Sequence, residues 1–169
     1  PQRGEARRVI VVGELSLWIA LLMAVWAATV SFAGGYGRRD ELILSGERAA
    51  YVATAFTVMA SIGLWYALFT RDFSLSYVAS QISANMPNVY VFASFWSGQA
   101  GSMLFWALIL SLYLAIMVRT NRNANREMMP YATGTLAAVL AFFLLTTALK
   151  ANPFVRLDWL PADGRGMNP

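Results

Sequence analysis

Apolar residues in this chain do not alternate with polar ones; they run in long blocks cut by small groups of charge. From Val9 to Gly37 the sole charge is Glu14, and the stretches Ala49 to Thr70 and Met128 to Leu149 carry none. A bilayer core of about 30 Å takes about 20 helical residues to cross, so each block is long enough for one span. Phe73 to Val118 is also uncharged, but it is too long for a single helix. Its composition shifts partway: Ser74 to Asn88 is rich in Ser, Asn and Gln and contains Pro87, whereas Met103 to Val118 is nearly all Leu, Ile, Ala, Met and aromatic. The pattern predicts an all-α polytopic membrane protein forming a single transmembrane region over 1–169. Its four transmembrane helices lie near 10–35, 49–70, 101–119 and 131–150, and an amphipathic connector over 72–100 lies along the membrane surface between spans two and three.

Local chemistry marks the boundaries. Gly34-Gly35-Tyr36-Gly37 can adopt the positive φ that ends a helix, and Arg38-Arg39-Asp40 would then hold the chain in water. Pro130 suits a first helical turn, where its missing N–H costs nothing. Asn152-Pro153 closes the fourth span, because proline disfavours helical geometry in the residue before it. Trp65, Tyr66, Trp96, Trp106 and Tyr131 fall toward predicted span ends, as interfacial aromatics do. The first apolar stretch is too long for a secretory signal and lacks a small-residue cleavage site.

Composition narrows the chemistry. Of 169 residues, 58% are hydrophobic and 13% charged, with no Cys and no His, against about 45–50% and about 25% in an ordinary soluble domain. That is too little charge to cover a water-facing surface. Without Cys or His there is no disulfide, thiolate zinc site, Cys nucleophile or imidazole base, so neither a catalytic residue nor a metal site is assigned. The net charge of +4 comes from Arg groups beside apolar runs, a membrane-flanking pattern and not a nucleic-acid face. Arg38, Arg39, Arg48, Arg119, Arg122 and Arg126 fall on one side, while Arg3, Arg7, Arg8, Arg71, Lys150, Arg156 and Arg165 fall on the other. The first set sits in the short loops 36–48 and 119–130, where the positive-inside rule is strongest. Those loops are therefore expected in the cytoplasm, with the connector 72–100 and the tail 151–169 outside.

The connector holds the candidate site. Phe73, Leu75 and Tyr77 alternate with Asp72, Ser74 and Ser76, and Phe92, Phe95 and Trp96 follow at helix-like spacing. One reading is an interfacial segment, aromatics down and hydroxyls up, that seals the bundle. The other is a platform of aromatic side chains for a flat ligand or a partner chain, with Gly98 and Gly101 letting a backbone or macrocycle come close at the mouth of span three. Vestibule residues on this second reading are Trp96, Gly98, Gln99, Gly101, Ser102 and Trp106. Other candidates have plainer explanations. Glu14 is a carboxylate in an apolar run, where burial of charge is costly, but it lies near the helix start, open to interfacial exposure or to a neutral, hydrogen-bonded state. The eight Met are scattered and read as packing. Asp163 to Asn168 has backbone N–H groups for a cation or phosphate but reads most simply as a turn. Thr133-Gly134-Thr135 with Ala137-Ala138 makes a small face for helix packing, and Arg122-Asn123-Ala124-Asn125-Arg126 a solvated loop.

The order of several motifs resembles a known family. Gly13-Glu14-Leu15-Ser16-Leu17-Trp18 opens the first helix; Asp72-Phe73-Ser74 runs to Tyr77-Val78-Ala79; Trp96-Ser97-Gly98-Gln99-Ala100-Gly101-Ser102 leads to Trp106. Asn152-Pro153-Phe154 and Pro161-Ala162-Asp163-Gly164-Arg165-Gly166-Met167-Asn168-Pro169 complete the series. Together they resemble the N-terminal region of the CcmF/NrfE-type cytochrome c haem lyases of cytochrome c maturation system I. Where many members carry Glu in a Trp-Gly-Gly-X-Glu-Gly-Ser stretch, this chain has Ala100, and Ser97 replaces a Gly, so no acidic role carries over. The resemblance implies a multi-pass protein of the bacterial cytoplasmic (inner) membrane that helps attach haem to a Cys-X-X-Cys-His apocytochrome c on the outer face. It implies haem b as the full-length family's cofactor, with ligands outside this chain, and as partners the haem chaperone CcmE, the apocytochrome-handling CcmH and CcmI proteins, apocytochrome c and the lipid bilayer. The family's Trp-rich haem-handling motif and functional histidines are absent, and the chain stops at Asn168-Pro169 inside a motif that normally continues. A fragment of a longer protein, or the first part of a split one, is expected. Two rivals remain open: a structural transmembrane subunit of a respiratory or photosynthetic complex, and half of a transporter, although no paired broken helices of the inverted-repeat kind are visible.

Overall fold

The computed structural model describes residues 2–121, 125–158, 161 and 163–165, with side chains from Arg8 onward. Six helices follow in order: α1 (Gln2–Gly37), α2 (Asp40–Phe69), α3 (Ser76–Gln81), α4 (Asn88–Ala93), α5 (Gln99–Asn121) and α6 (Met129–Lys150). Four of them, α1 from Arg8 onward with α2, α5 and α6, are long and apolar enough to cross a membrane. These correspond to the four expected spans.

Small residues let the spans approach closely. Ala20, Ala24 and Ala27 of α1 and Ala50, Ala53 and Ala60 of α2 are fully buried, and at helical spacing they form the kind of smooth face along which membrane helices pack. Glycines mark the close contacts, and a Cβ on Gly46 of α2 would collide with the Ser31 hydroxyl of α1. A Cβ on Gly63 would lie 3.4 Å from the Gly13 Cα, and one on Gly34 would lie 2.8 Å from the Ile43 nitrogen. Helix α6 joins α1 in the same way, since Gly134 lies against the Phe32 ring and Gly35 against Pro130 and Tyr131. Thr54 ties α2 to α5 by donating to the Ser111 carbonyl (2.9 Å) in the buried interior. Thr57 and Ser61 instead return to the carbonyl one turn back, at 2.8 and 2.9 Å, so their polarity is satisfied within the helix.

The turn between α1 and α2 differs from expectation. Gly34, Gly35 and Gly37 stay helical, and the left-handed residue is Arg38, with φ 49°. The Arg39 N–H donates to the Gly34 carbonyl (3.0 Å), the six-to-one bond of a Schellman ending. Gly34 and Gly35 are needed for close approach, not for conformation. The expected loop 36–48 also shrinks, because α2 begins at Asp40: Asp40 and Glu41 occupy its first turn, where carboxylates oppose the helix dipole favourably. Helix α2 ends the same way as α1. Arg71 is left-handed with φ 52°, and the Asp72 N–H donates to the Ala67 carbonyl (3.0 Å). Pro130 stands in the first turn of α6 and Lys150 in its last. Beyond it the Asn152 carboxamide accepts the Phe154 N–H (2.9 Å), closing the turn expected at Asn152-Pro153.

The bundle therefore has two unlike ends. At one, the Arg38-Arg39 turn lies near the start of α6; residues 122–124 of the basic loop there lie outside the described residues. At the other, the connector and the tail fold together.

Candidate functional site

The connector is built more deeply into the molecule than a segment lying on a surface. After Arg71 the chain turns, the Leu75 N–H donating to the Asp72 carbonyl (3.1 Å), and Leu75 itself bridges to Arg156 in an antiparallel sense. The Ser76 N–H donates to the Val155 carbonyl and the Leu157 N–H to the Ser74 carbonyl, both at 2.9 Å. The alternation of Phe73, Leu75 and Tyr77 is therefore not that of a strand: Phe73 lies in a turn, Leu75 is bridged to the tail, and Tyr77 is already in α3. Leu75, Ile82, Val91 and Phe95 are fully buried. Phe154 follows from the tail and fills the crossing of α1 and α2, its ring against Gly13 and Gly63.

Tyr77 organises the connector. From α3 its hydroxyl reaches the Ser94 carbonyl (2.8 Å) and the Phe95 carbonyl (3.1 Å) after α4, and it accepts the Gly98 N–H (3.3 Å). Burial raises the Tyr77 pKa above the ordinary tyrosine value, against the smaller opposing effect of hydrogen bonds to Gly98, Ser97 and Gly101. The room left by the two glycines is occupied by the chain itself. A Cβ on Gly101 would collide with the Phe95 carbonyl oxygen and the Tyr77 hydroxyl, and one on Gly98 would meet Gln81 Nε2 at 2.8 Å and Tyr77 Cε2 at 2.9 Å. Gly98 and Gly101 therefore allow α5 to start against α3. Ser102 closes that start by donating to the carbonyls of Gly98 and Trp96, each at 2.8 Å.

Of the six vestibule residues, Gly98, Gly101 and Ser102 are thus committed to internal packing and hydrogen bonding, while Gln99, Trp96 and Trp106 remain exposed. Trp96 belongs to a larger aromatic cluster. Trp65 of α2 stacks on Phe95 (centroids 4.3 Å) and on Phe92 (5.6 Å, planes 4° apart). Trp96 meets Phe92 edge-on at 5.5 Å and lies 5.6 Å from Phe105, which in turn sits edge-on to Phe95 at 6.1 Å. Phe92 and Trp96 are 47% and 40% exposed, so the cluster has a sealed inner half and an open outer face. Trp106, one residue beyond Phe105, is 57% exposed. Trp65 is a structural partner of the connector and not a simple interface anchor.

Arg71, which the apolar pattern passes over, reaches into the connector. Its Nη2 donates to the Met86 carbonyl (2.9 Å) and to Asn88 Oδ1 (3.3 Å), holding the start of α4 to the end of α2. A signal was present: Arg71 and Asp72 are the only charged residues between Arg48 and Arg119. The remaining candidates are modest. Glu14 is half-buried on α1. Asp163 accepts the N–H groups of Ala84 and Gly164, each at 2.7 Å, so its carboxylate ties the tail to the connector; Gly166, Met167 and Asn168 of that turn lie outside the described residues. Among the described residues no three metal-ligating side chains come together.

No family model matches the chain. It is similar to the cytochrome c-type biogenesis protein NrfE of Haemophilus influenzae, 34% identical over 158 residues, covering 93% of this chain and 25% of that protein. It is equally similar to the cytochrome c-type biogenesis protein CcmF of Pseudomonas fluorescens, 34% identical over 159 residues, covering 93% and 24%. In fold it matches a solved structure of the cytochrome c heme lyase CcmF with a TM-score of 0.79 at 23% identity, over 86% of this chain and 24% of that one. The chain spans about a quarter of the length of these proteins. Over nearly its whole length it is a membrane-protein homologue of the CcmF/NrfE cytochrome c biogenesis proteins.

Proposed function

We propose that the chain contributes a membrane scaffold to a cytochrome c maturation haem lyase, the machinery that joins haem to the thiols of a Cys-X-X-Cys-His apocytochrome. The observation that carries this reading is the 34% identity to NrfE and CcmF proteins across 93% of the chain. The setting is the bacterial inner membrane, with the connector and tail on the outer face and the Arg38-Arg39 turn in the cytoplasm. The arginines near the Arg38-Arg39 turn and the α5–α6 loop support that orientation. Its partners would be the haem chaperone CcmE, the CcmH and CcmI proteins and apocytochrome c.

The residues suit a haem surface in one respect only. With no His or Cys in the chain, imidazole or thiolate ligation of iron would fall to other polypeptide, and haem b would be held by histidines outside this sequence. What this chain offers is apolar ring contact from the connector face, where Trp96, Gln99 and Trp106 border an outer vestibule. Spans α1, α2, α5 and α6 hold that face in place. Deleting the encoding gene and staining for covalently bound c-type haem tests the reading. Loss of the haem-staining bands, restored by the gene supplied in trans, is expected; wild-type levels of covalent haem in the deletion strain would refute it and favour a structural subunit of another complex.

A further inference from the structure

We propose that the outward face of α5 at Leu112, Tyr113 and Ile116 is a docking surface for a further transmembrane helix. That helix belongs to the part of the CcmF/NrfE fold outside the quarter matched here, and it presents a hydrogen-bond acceptor to the Tyr113 hydroxyl. The inference rests on the family match and not on haem attachment. Three observations carry it. The first is the depth of a polar group. Tyr113 is 66% exposed, and among the described residues its hydroxyl has no hydrogen-bond partner. It stands six residues before Arg119, about 9 Å along the helix axis, inside a hydrocarbon layer of about 30 Å. Side chains of a helix lean toward its N-terminus, so the phenol is directed away from the Arg119 end and toward the bilayer centre. Snorkelling to the nearer headgroups is closed to it, and lipid tails offer its O–H no acceptor.

The second observation is contrast. The other exposed tyrosines stand where Tyr anchors a span to the interface. Tyr36 lies at the end of α1, Tyr131 at the start of α6 and Tyr66 in the last turn of α2, while Tyr51 is three residues from Arg48 and Tyr90 is in the connector. Trp26, also deep in its span, donates to Ser45 Oγ (3.3 Å), so its polar atom is satisfied between α1 and α2. Trp18 leans by the same rule toward the nearer, Arg8 end of α1. The third observation is what stays uncovered. Helix α5 packs on α2 and α6 with Leu104, Ala107, Ser111, Leu114 and Val118 buried, and it is the least buried of the four spans. On its other side Leu112 and Ile116 are exposed and flank Tyr113 at helical spacing. This chain accounts for 24% of the solved CcmF chain, and the remainder of such a fold has to meet this quarter on a face that its own spans leave open. Helices in membranes are held together by close packing and by hydrogen bonds from polar side chains, and the Tyr113 face supplies both.

The test places the photoreactive amino acid p-benzoylphenylalanine at position 113 or 116 of the protein expressed in its native host. Intact membranes are irradiated and the products identified by mass spectrometry. Both positions are expected to capture peptides from a transmembrane helix of CcmF/NrfE-type sequence outside residues 1–169. The same probe at Leu22 of α1 or Phe142 of α6, both exposed, should give lipid adducts. With the probe at 116, Tyr113→Phe should lower the yield of the captured helix about threefold, the effect of an average hydrogen bond between membrane helices, with helical circular dichroism unchanged. Lipid adducts alone at 113 and 116 would overturn the proposal. So would a cross-link to a second copy of residues 1–169, which would make the face a dimer interface, or to a protein of unrelated sequence. Capture of the same helix equally from Leu22 and Phe142 would remove the assignment to α5, and a yield unmoved by Tyr113→Phe would remove the acceptor. Covalent haem staining is a separate readout, so a deletion strain with normal haem attachment sinks the haem-lyase reading and spares this face, while lipid adducts at 113 sink this face and spare that reading.

Discussion

Two arginines occupy positions where helices usually end on glycine. Arg38 and Arg71 both adopt left-handed backbone after a Schellman ending, which costs an L-residue about 1–2 kcal/mol relative to the right-handed region. The structure treats the two differently. Arg71 recovers the cost through its charged hydrogen bonds to Met86 and Asn88, each worth about 1.5–3 kcal/mol. Arg38 is exposed, and among the described residues no side-chain bond of this kind offsets its backbone. Opposite signs are therefore expected for the same substitution: Arg38→Gly should stabilise the protein by about 1 kcal/mol, and Arg71→Gly should destabilise it by about 1 kcal/mol or more. Reversible unfolding in mixed micelles, followed by circular dichroism, would read both. Equal effects would show that the Arg71 clamp contributes nothing.

At the scale of elements, the connector is the part whose behaviour the pattern of apolar residues does not foretell. Its short helices α3 and α4 are six residues each, too short to persist alone in water. They hold because Tyr77 joins them: one buried phenol bonds the end of α4 and the start of α5. The same burial gives the connector a pH limit. The Tyr77 pKa is raised in the folded state, so the folded protein retains a proton that the unfolded chain gives up near pH 10. The stabilisation is fully present below that value and is lost as pH climbs through the folded pKa. Emission from Trp65 and Trp96 in the adjoining cluster should therefore report a loosening of the connector above about pH 10. Tyr77→Phe should begin about 1–3 kcal/mol less stable, because the Ser94 and Phe95 carbonyls lose their donor, and should lack that alkaline step. An identical step in Tyr77→Phe would assign it to another group.

For the whole molecule, the tail decides how the two ends differ. Residues 154–157 return along the connector, and Phe154 inserts at the point where Gly13 and Gly63 bring α1 and α2 together. Phe154→Ala would leave a cavity at that crossing, at a cost of about 3 kcal/mol, and should free connector and tail together. Amide exchange measured by mass spectrometry is expected to rise in 73–82 as well as 154–157; a rise confined to the tail would mean that the two segments are independent. The sequence by itself determined the four spans, since a bilayer demands long apolar helices and tolerates few charges within them. It also located Pro130 and Asn152-Pro153 at their boundaries, because proline restricts its own and the preceding backbone whatever the surroundings, and its motif order carried the family. Only the tertiary structure decided that Gly98 and Gly101 make room for Tyr77, Gln81 and Phe95, that Gly34 and Gly35 serve packing while Arg38 makes the turn, and that Arg71 holds the start of α4 to the end of α2. These are relations between residues far apart in the chain. Periodicity reports which face of a segment is apolar, but what that face meets is settled by how the segments pack.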